Sequence, residues 1–275
     1  MTGDLAFIPL GGTGEIGLNL NVYRCDGQLL AVDCGLGFGG PEHPEVDVMV
    51  PDATWLAARR DKLAALVITH AHEDHVGAVA HLWPGLRCPI HAGPFVSAVL
   101  RRKLGEAGLL SQVEIITHPL GARWTVGNFD LEFLRVAHSV PEAQALAIRT
   151  RHGTVMHTGD WKLDPNPLTG PPTDEAAFAR LGEEGVLAMV CDSTNALVEG
   201  QGARVALVFV GFDDADLGRS GLTEALKGDP VVRLPGGHTH AGTEVAALDL
   251  AALEALIRAL GAEVSGFAVA AQFAT

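Results

Sequence analysis

The sequence predicts a layered α/β (α+β) fold, and three observations lead there. Short apolar runs, several alternating with period two, recur from Leu5 to Thr158. Glycine-rich breaks separate them, as turns between strands require. Longer segments with helical spacing are interspersed rather than gathered at one end, which favours strands and helices packed as layers. The chain has 275 residues, of which 48% are hydrophobic and 19% charged. A domain of that size buries roughly three quarters of the surface its unfolded chain exposes, so a full core is affordable.

Taken in order, Leu5–Leu10 reads as a strand, and Leu18–Tyr23 alternates as a second. Gln28–Asp33 is a third, joined to the second by Asp26-Gly27, a two-residue hairpin signal. Leu63–Thr69 is a strand, Val76–Leu82 opens a helix, and Phe95–Leu104 is a second helix. Strands return at Val113–Thr117, Phe129–Val136, Ala145–Thr150 and Thr154–Thr158. Beyond Asn195 a polar joint, Leu197–Gln201, precedes the strand Val205–Val210. The acidic loop Asp213–Asp216 and a short strand, Val231–Leu234, come next. Leu248–Leu260 is an amphipathic helix with Gly261 at its C-terminal cap.

Composition narrows the function. The formal net charge is −14, from 19 Lys+Arg against 33 Asp+Glu. Such a surface repels phosphate backbones at long range and disfavours a simple basic nucleic-acid binder. It leaves room for an enzyme whose cations line one cleft, or whose metal supplies the positive charge. Arg59-Arg60, Arg101-Arg102-Lys103 and Arg149 with Arg151 are the basic groups that could rim such a cleft. No segment reaches the ~18 uninterrupted apolar residues of a membrane span, and the start has no basic-then-apolar leader. Cys25, Cys34, Cys88 and Cys191 form no C-x-x-C pair and lie on or beside apolar strands, as free thiols do in a reducing cytoplasm.

Gly12-Thr13-Gly14-Glu15-Ile16-Gly17 matches G-x-G-x-x-G after a strand. A dinucleotide site needs a helix to open at the last glycine, whereas Leu18–Tyr23 has period two. The segment is therefore expected to be a loop between strands. The strong signal is His70-Ala71-His72-Glu73-Asp74-His75, with a strand running into it and a helix leaving it. In extended backbone His70 and His72 face the same way and can bind one ion. Asp74 and His75 fall at the turn into the helix, where the helix N-terminus favours a carboxylate. His138 and Asp160 each follow a strand and can complete the constellation from distant segments.

Assembled, these residues predict two adjacent ions. One is held by His70, His72 and His138, the other by Asp74 and His75, with Asp160 bridging. Imidazole and carboxylate ligands suit Zn²⁺, with Mn²⁺ the competitor at an oxygen-rich position. A pair ~3.5–4 Å apart supports hydrolysis of a phosphodiester, and Asp74, His75 and Asp160 are the residues expected closest to the chemistry.

At these residues the sequence resembles the metallo-β-lactamase superfamily, whose pattern is H-x-H-x-D-H with downstream His and Asp ligands. It is further similar to the bacterial ribonuclease J family. That likeness rests on Pro9–Gly17 with Asn19, on Thr69–Gly77, on His138–Glu142 and Leu146–Thr150, on His157–Lys162 with Asp164, and on Cys191–Asn195. The resemblance implies an αββα four-layer sandwich, two zinc ions and 5′-to-3′ exonuclease and endonuclease activity on RNA. It carries the metal positions over to His70, His72, Asp74, His75, His138 and Asp160. Asp33 matches an acidic motif and is read as orienting ligands from behind, with a turn cap the equal alternative. Ser193 and Thr194 sit in a family motif and could contact phosphate or cap a strand.

The chain also departs from that family. After Ser193-Thr194-Asn195 the family inserts a β-CASP domain, and too little sequence follows here to hold it along with the rest of the sandwich. The expected organisation is a catalytic core over 1–197 and a shortened part over 198–275, which completes the sandwich or resembles the family's small C-terminal domain. The last family ligand has His238 as its candidate substitute. Other readings keep the metal but change the rest: a hydrolase of a small ester, thioester or phosphoester, or a metal-binding relative without turnover. RNA is the expected partner, no membrane is, and a homo-oligomer is compatible with the sequence.

Overall fold

The computed structural model describes residues 4–39 and 45–192, together with the backbone of two short strands at 208–210 and 269–270. One sheet runs in the order β1 (Leu5–Gly11), β2 (Leu20–Cys25), β3 (Gln28–Val32), β4 (Leu63–Ile68), β5 (Ile90–Ala92), β6 (Ile115–Thr117). Its first three strands are antiparallel, and from β3 onward neighbours are parallel. The second sheet contains β7 (Arg123–Val126), β8 (Phe129–Arg135), β9 (Gln144–Thr150), β10 (Gly153–His157) and β11 (Ala188–Val190). It is extended by β12 (Val208–Val210) and β13 (Val269–Ala270).

Alternation along the strands builds the layers. In β3, Leu30 and Val32 point between the sheets while Leu29 and Ala31 point outward; in β4, Ala65 and Val67 point in, Leu66 and Ile68 out. Strands buried on both faces read as continuous apolar runs, the usual state of a covered parallel sheet. Phe129, Leu131, Phe133, Leu146 and Ile148 meet Tyr23, Leu30 and Val67 from the opposing sheet. Each such large side chain contributes about 1.5–3 kcal/mol by leaving water. Helices α3 (Val79–Leu86) and α4 (Pro94–Glu106) cover the first sheet's outer face, and α5 (Glu175–Glu184) covers the second through Phe178 and Leu181. The result is αββα layering, as the resemblance implies.

Several elements differ from the sequence expectation. The helix placed at Val76 starts earlier, as α2 (Glu73–Val76), and breaks before α3. The break has a tertiary cause. The Ala78 N–H donates to the Cys34 carbonyl, and the Asp74 carbonyl accepts from the Asn19 backbone and side chain, so the α-helical bond between Ala78 and Asp74 is not made. Strands β5, β7 and β11, the short helix α1 (Thr54–Ala57) and helix α5 were not anticipated. Four of them are only three or four residues long, too short for periodicity to register. Asp26 and Gly27 do form the tight hairpin, both at positive φ. Gly12–Gly17 is a loop between β1 and β2, as expected. The joint Leu197–Gln201, the strand Val231–Leu234, the helix Leu248–Leu260 and the boundary at 197/198 lie outside the described residues.

Candidate metal centre

Strands β3, β4, β8 and β10 all point their C-terminal ends to one edge of the sandwich, and the residues that follow them meet there. Asp33 follows β3, Thr69 to His75 follow β4, His138 follows β8, and Asp160 follows β10. Gly35 permits the approach of the β4 loop: a Cβ on it would lie 1.5 Å from the Asp74 carbonyl oxygen. Leu36, Cys34 and Asn19 then bind the backbone of Glu73, His75 and Asp74.

Two donor sets result. In the first, His70 Nε2 lies 3.2 Å and His138 Nε2 3.0 Å from His72 Nδ1. In the second, His75 Nε2 lies 3.6 Å from Asp74 Oδ2. Asp160 stands between them: its Oδ2 is 3.4 Å from His138 Nε2 and 3.9 Å from His70 Nε2, and its Oδ1 is 3.1 Å from His75 Nε2. The ligand-type atoms of His70, His72, His138 and Asp160 lie within 4.8 Å of one another, as do those of Asp74, His75 and Asp160. The structure thus brings together all six residues singled out from sequence. Ser193, Thr194 and His238 lie outside the described residues.

The donor chemistry suits cations. The one proton of the Thr69 hydroxyl is directed at Asp33, 2.9–3.0 Å away, so its oxygen accepts from His70 Nδ1 at 3.0 Å. His70 Nε2 is then a bare lone pair facing the cluster. His72 Nδ1 can give a proton to only one of the two imidazoles against it. His75 Nδ1 donates to Asp33 Oδ2 at 2.7 Å, which leaves His75 Nε2 facing two carboxylates. A proton or a cation at that nitrogen would offset the two negative charges. The residues present therefore fit divalent ions.

Electrostatics agree. Burial, then the neighbouring His75, holds His70 well below the ordinary histidine value, and burial brings His138 down to about 4. Both imidazoles are neutral and free to ligate. Burial works to lower His75 as well, but Asp160 and Asp33 on either side raise it well above 6.5. Burial pushes the Asp160 carboxyl up, yet His75, His70 and His138 together hold it well below the usual carboxylate range.

Supporting residues were mostly not legible beforehand. Asp33, fully buried, accepts from the Thr69 N–H at 2.8 Å and from His75 Nδ1 at 2.7 Å. Tyr23 bonds His157 Nδ1 at 2.8 Å beneath the centre, and Asn19 Nδ2 reaches His75 Nε2 at 3.1 Å. Ser139 Oγ lies 3.3 Å from His72 Nε2. Asp33, Asn19, Ser139 and His157 lie in segments that carry the family resemblance, but their partners are reached across sheets or loops and so are not written in the local sequence. A small pocket beside His75 and Asp160, lined also by Asn21, His157 and Asp192, opens the centre to a ligand.

Burial brings His157 and His91 down to about 4 from 6.5. The unfolded chain therefore binds more protons between pH 4 and 6.5, and stability should fall as pH drops through that window. His157 alone contributes on the order of 3 kcal/mol. His75 has the opposite sign: its stabilisation is full below 6.5 and fades as pH rises through its raised value. Thermal melts of chelator-treated protein from pH 4 to 7 should show the acid-side loss. A flat profile would refute it.

Comparison with known proteins bears on this centre. The family model described as a beta-lactamase superfamily domain matches residues 30–182. Ribonuclease J of Sinorhizobium meliloti is 52% identical over 201 residues, 72% of this chain and 36% of that protein. Ribonuclease J of Mycolicibacterium smegmatis is 44% identical over 195 residues, 70% of this chain and 34% of that protein. Ribonuclease J of Helicobacter pylori is 36% identical over 208 residues, 74% of this chain and 30% of that protein. The chain thus spans about a third of the length of the curated relatives it matches. The metallo-beta-lactamase fold protein YhfI from Bacillus subtilis superimposes with a TM-score of 0.51 at 17% identity, over 74% of this chain and 76% of that one. Sandwich, donor sets and family match agree: the chain belongs to the metallo-β-lactamase superfamily.

Proposed function

We propose that the chain is a metal-dependent hydrolase that cuts RNA phosphodiester bonds, as a 5′-to-3′ exonuclease and endonuclease. The observation that carries this is Asp160, whose two oxygens face two separate donor sets. The similarity to proteins named ribonuclease J supports RNA as the substrate. His70, His72 and His138 would hold one ion, Asp74 and His75 the other, with Asp160 shared; zinc is the preferred metal and manganese the competitor. Such ions supply Lewis acidity, polarising a phosphoryl oxygen and lowering the pKa of water.

The chain's own residues prepare that chemistry. Thr69 fixes His70 with its Nε2 lone pair inward, and Asp33 does the same for His75. Orienting partners of this kind raise ligand basicity and limit rotation. The four cysteines are free and buried, which suits a reducing compartment such as the cytoplasm. Among the described residues no helix is long and apolar enough to cross a membrane.

The test is incubation of the metal-loaded protein with 5′-monophosphorylated single-stranded RNA. Shortening from the 5′ end with release of mononucleotides is the expected result. Intact RNA at full metal occupancy would overturn the substrate and leave a hydrolase of small esters or phosphoesters.

A further inference from the structure

The basic groups noted in the sequence meet different fates. Arg149 is consumed by Glu132 and Glu184 at 2.8 and 2.6 Å, Lys103 by Glu73 at 2.7 Å, and Arg102 pairs with Glu106. Arg59 and Arg151, far apart in sequence, instead enter one cleft of about 850 Å³, with Arg24 and Lys62. That cleft sits at the hairpin end of β2 and β3 and the start of β4. The metal centre lies at the other end of β3 and β4, on the order of 20 Å away at strand rise.

Four cations and two carboxylates, Asp4 and Asp26, line it among the described residues. Arg24 pairs with Asp4, and Arg151 with Asp26 at 2.7 Å. Arg59 and Lys62 have no carboxylate at ion-pair distance among the described residues, although the exposed Asp61 adjoins Lys62 in sequence. Arg59 is nonetheless held in place. Its guanidinium lies 4.4 Å over the Trp55 ring, and its Nη1 donates to the Trp55 carbonyl at 3.0 Å. A planar cation fixed this way loses little side-chain entropy on meeting an anion, and the half-buried indole beside it offers stacking surface. On a chain of net charge −14, a cavity with surplus positive charge focuses anions that the rest of the surface repels.

We infer that this cleft is a second RNA-binding site, where Arg59, Lys62 and Trp55 engage the phosphates and bases of a single strand away from the metal centre. The inference rests on the reading of RNA as substrate. A strand contacting both places is held by the cleft while the centre acts on it.

Anisotropy with a fluorescein-labelled, hydrolysis-resistant 2′-O-methyl phosphorothioate 12-mer tests this on the metal-loaded protein, across a salt series. The variants are Arg59→Gln/Lys62→Gln and the charge-reversing Arg59→Glu/Lys62→Glu. Expected is a Kd at least tenfold weaker in the first and weaker still in the second. The slope of log Kd against log salt should fall by about 1.4, two single-strand phosphate contacts. Turnover of bis(p-nitrophenyl) phosphate should stay within twofold of wild type. The Gln pair keeps the test valid if the Glu pair does not fold. Wild-type affinity and slope in a folded variant would overturn the cleft and leave RNA as substrate untouched. Wild-type turnover of the small diester without salt-dependent RNA binding would instead overturn the RNA reading, and the cleft with it.

Discussion

A His72→Ala, Asp74→Ala double variant is expected to lose its bound metal and with it essentially all hydrolysis. The two substitutions remove one ligand from each donor set, since His72 lies 3.0–3.2 Å from its imidazole partners and Asp74 3.6 Å from His75. What remains is three protein ligands on one side, His70, His138 and Asp160, and two on the other, His75 and the shared Asp160, against four and three in the intact centre. Each position falls below its full set, and the second below the three protein ligands that zinc sites use. Wild-type protein should carry one to two equivalents of zinc or manganese by elemental analysis. The variant should carry less than about a tenth, with turnover down by three orders of magnitude or more, since metal activation is lost outright. Both side chains are only partly buried, so circular dichroism should be unchanged, which separates metal loss from unfolding. Wild-type protein purified and reconstituted without any bound metal would sink the centre altogether.

Replacing Asp33 should have the second largest effect, and the two obvious substitutions should differ. Its carboxylate accepts from the Thr69 N–H, the Thr69 hydroxyl and His75 Nδ1, all inside the protein. Asp33→Ala leaves those donors without an acceptor, at about 1–3 kcal/mol for each buried group. It also places a residue with no local hydrogen-bonding side chain at a φ of 62°, a further 1–2 kcal/mol. The sum approaches the whole stability of a domain, so Asp33→Ala should be largely unfolded at 37 °C. Asp33→Asn retains one acceptor oxygen but turns an amide toward the other donors. It should fold with a lowered melting temperature and bind metal 10- to 100-fold more weakly, the range for lost orienting partners. A folded Asn variant with wild-type metal affinity would show that His75 needs no such support.

Much of this was written locally. The apolar runs within Gln28–Asp33 and Leu63–Thr69 declared strands, Asp26-Gly27 declared the hairpin, and His70 to His75 declared a ligand cluster at a strand end. These follow from backbone periodicity and turn stereochemistry, which span only a few residues. The short strands β5, β7 and β11 were not readable, because strands of three or four residues are defined by neighbours that satisfy their hydrogen bonds rather than by pattern.

Tertiary structure decided the rest. The partners of the Asp33 carboxylate are Thr69 and His75, 36 and 42 residues away. Tyr23 meets His157 across 134 residues, because two sheets stack in one register and no other. The helix after His72 breaks where Cys34 and Asn19 take its backbone groups. Arg149 and Arg151, two residues apart on a strand and the turn after it, part company: one is neutralised by Glu132 and Glu184, the other reaches a cleft with Arg59. The sequence by itself determined the chemical types and the faces they occupy. Only the stacking of the two sheets determined the partners, because hydrogen bonds and ion pairs act over a few ångströms whereas the residues that form them are scattered along the chain.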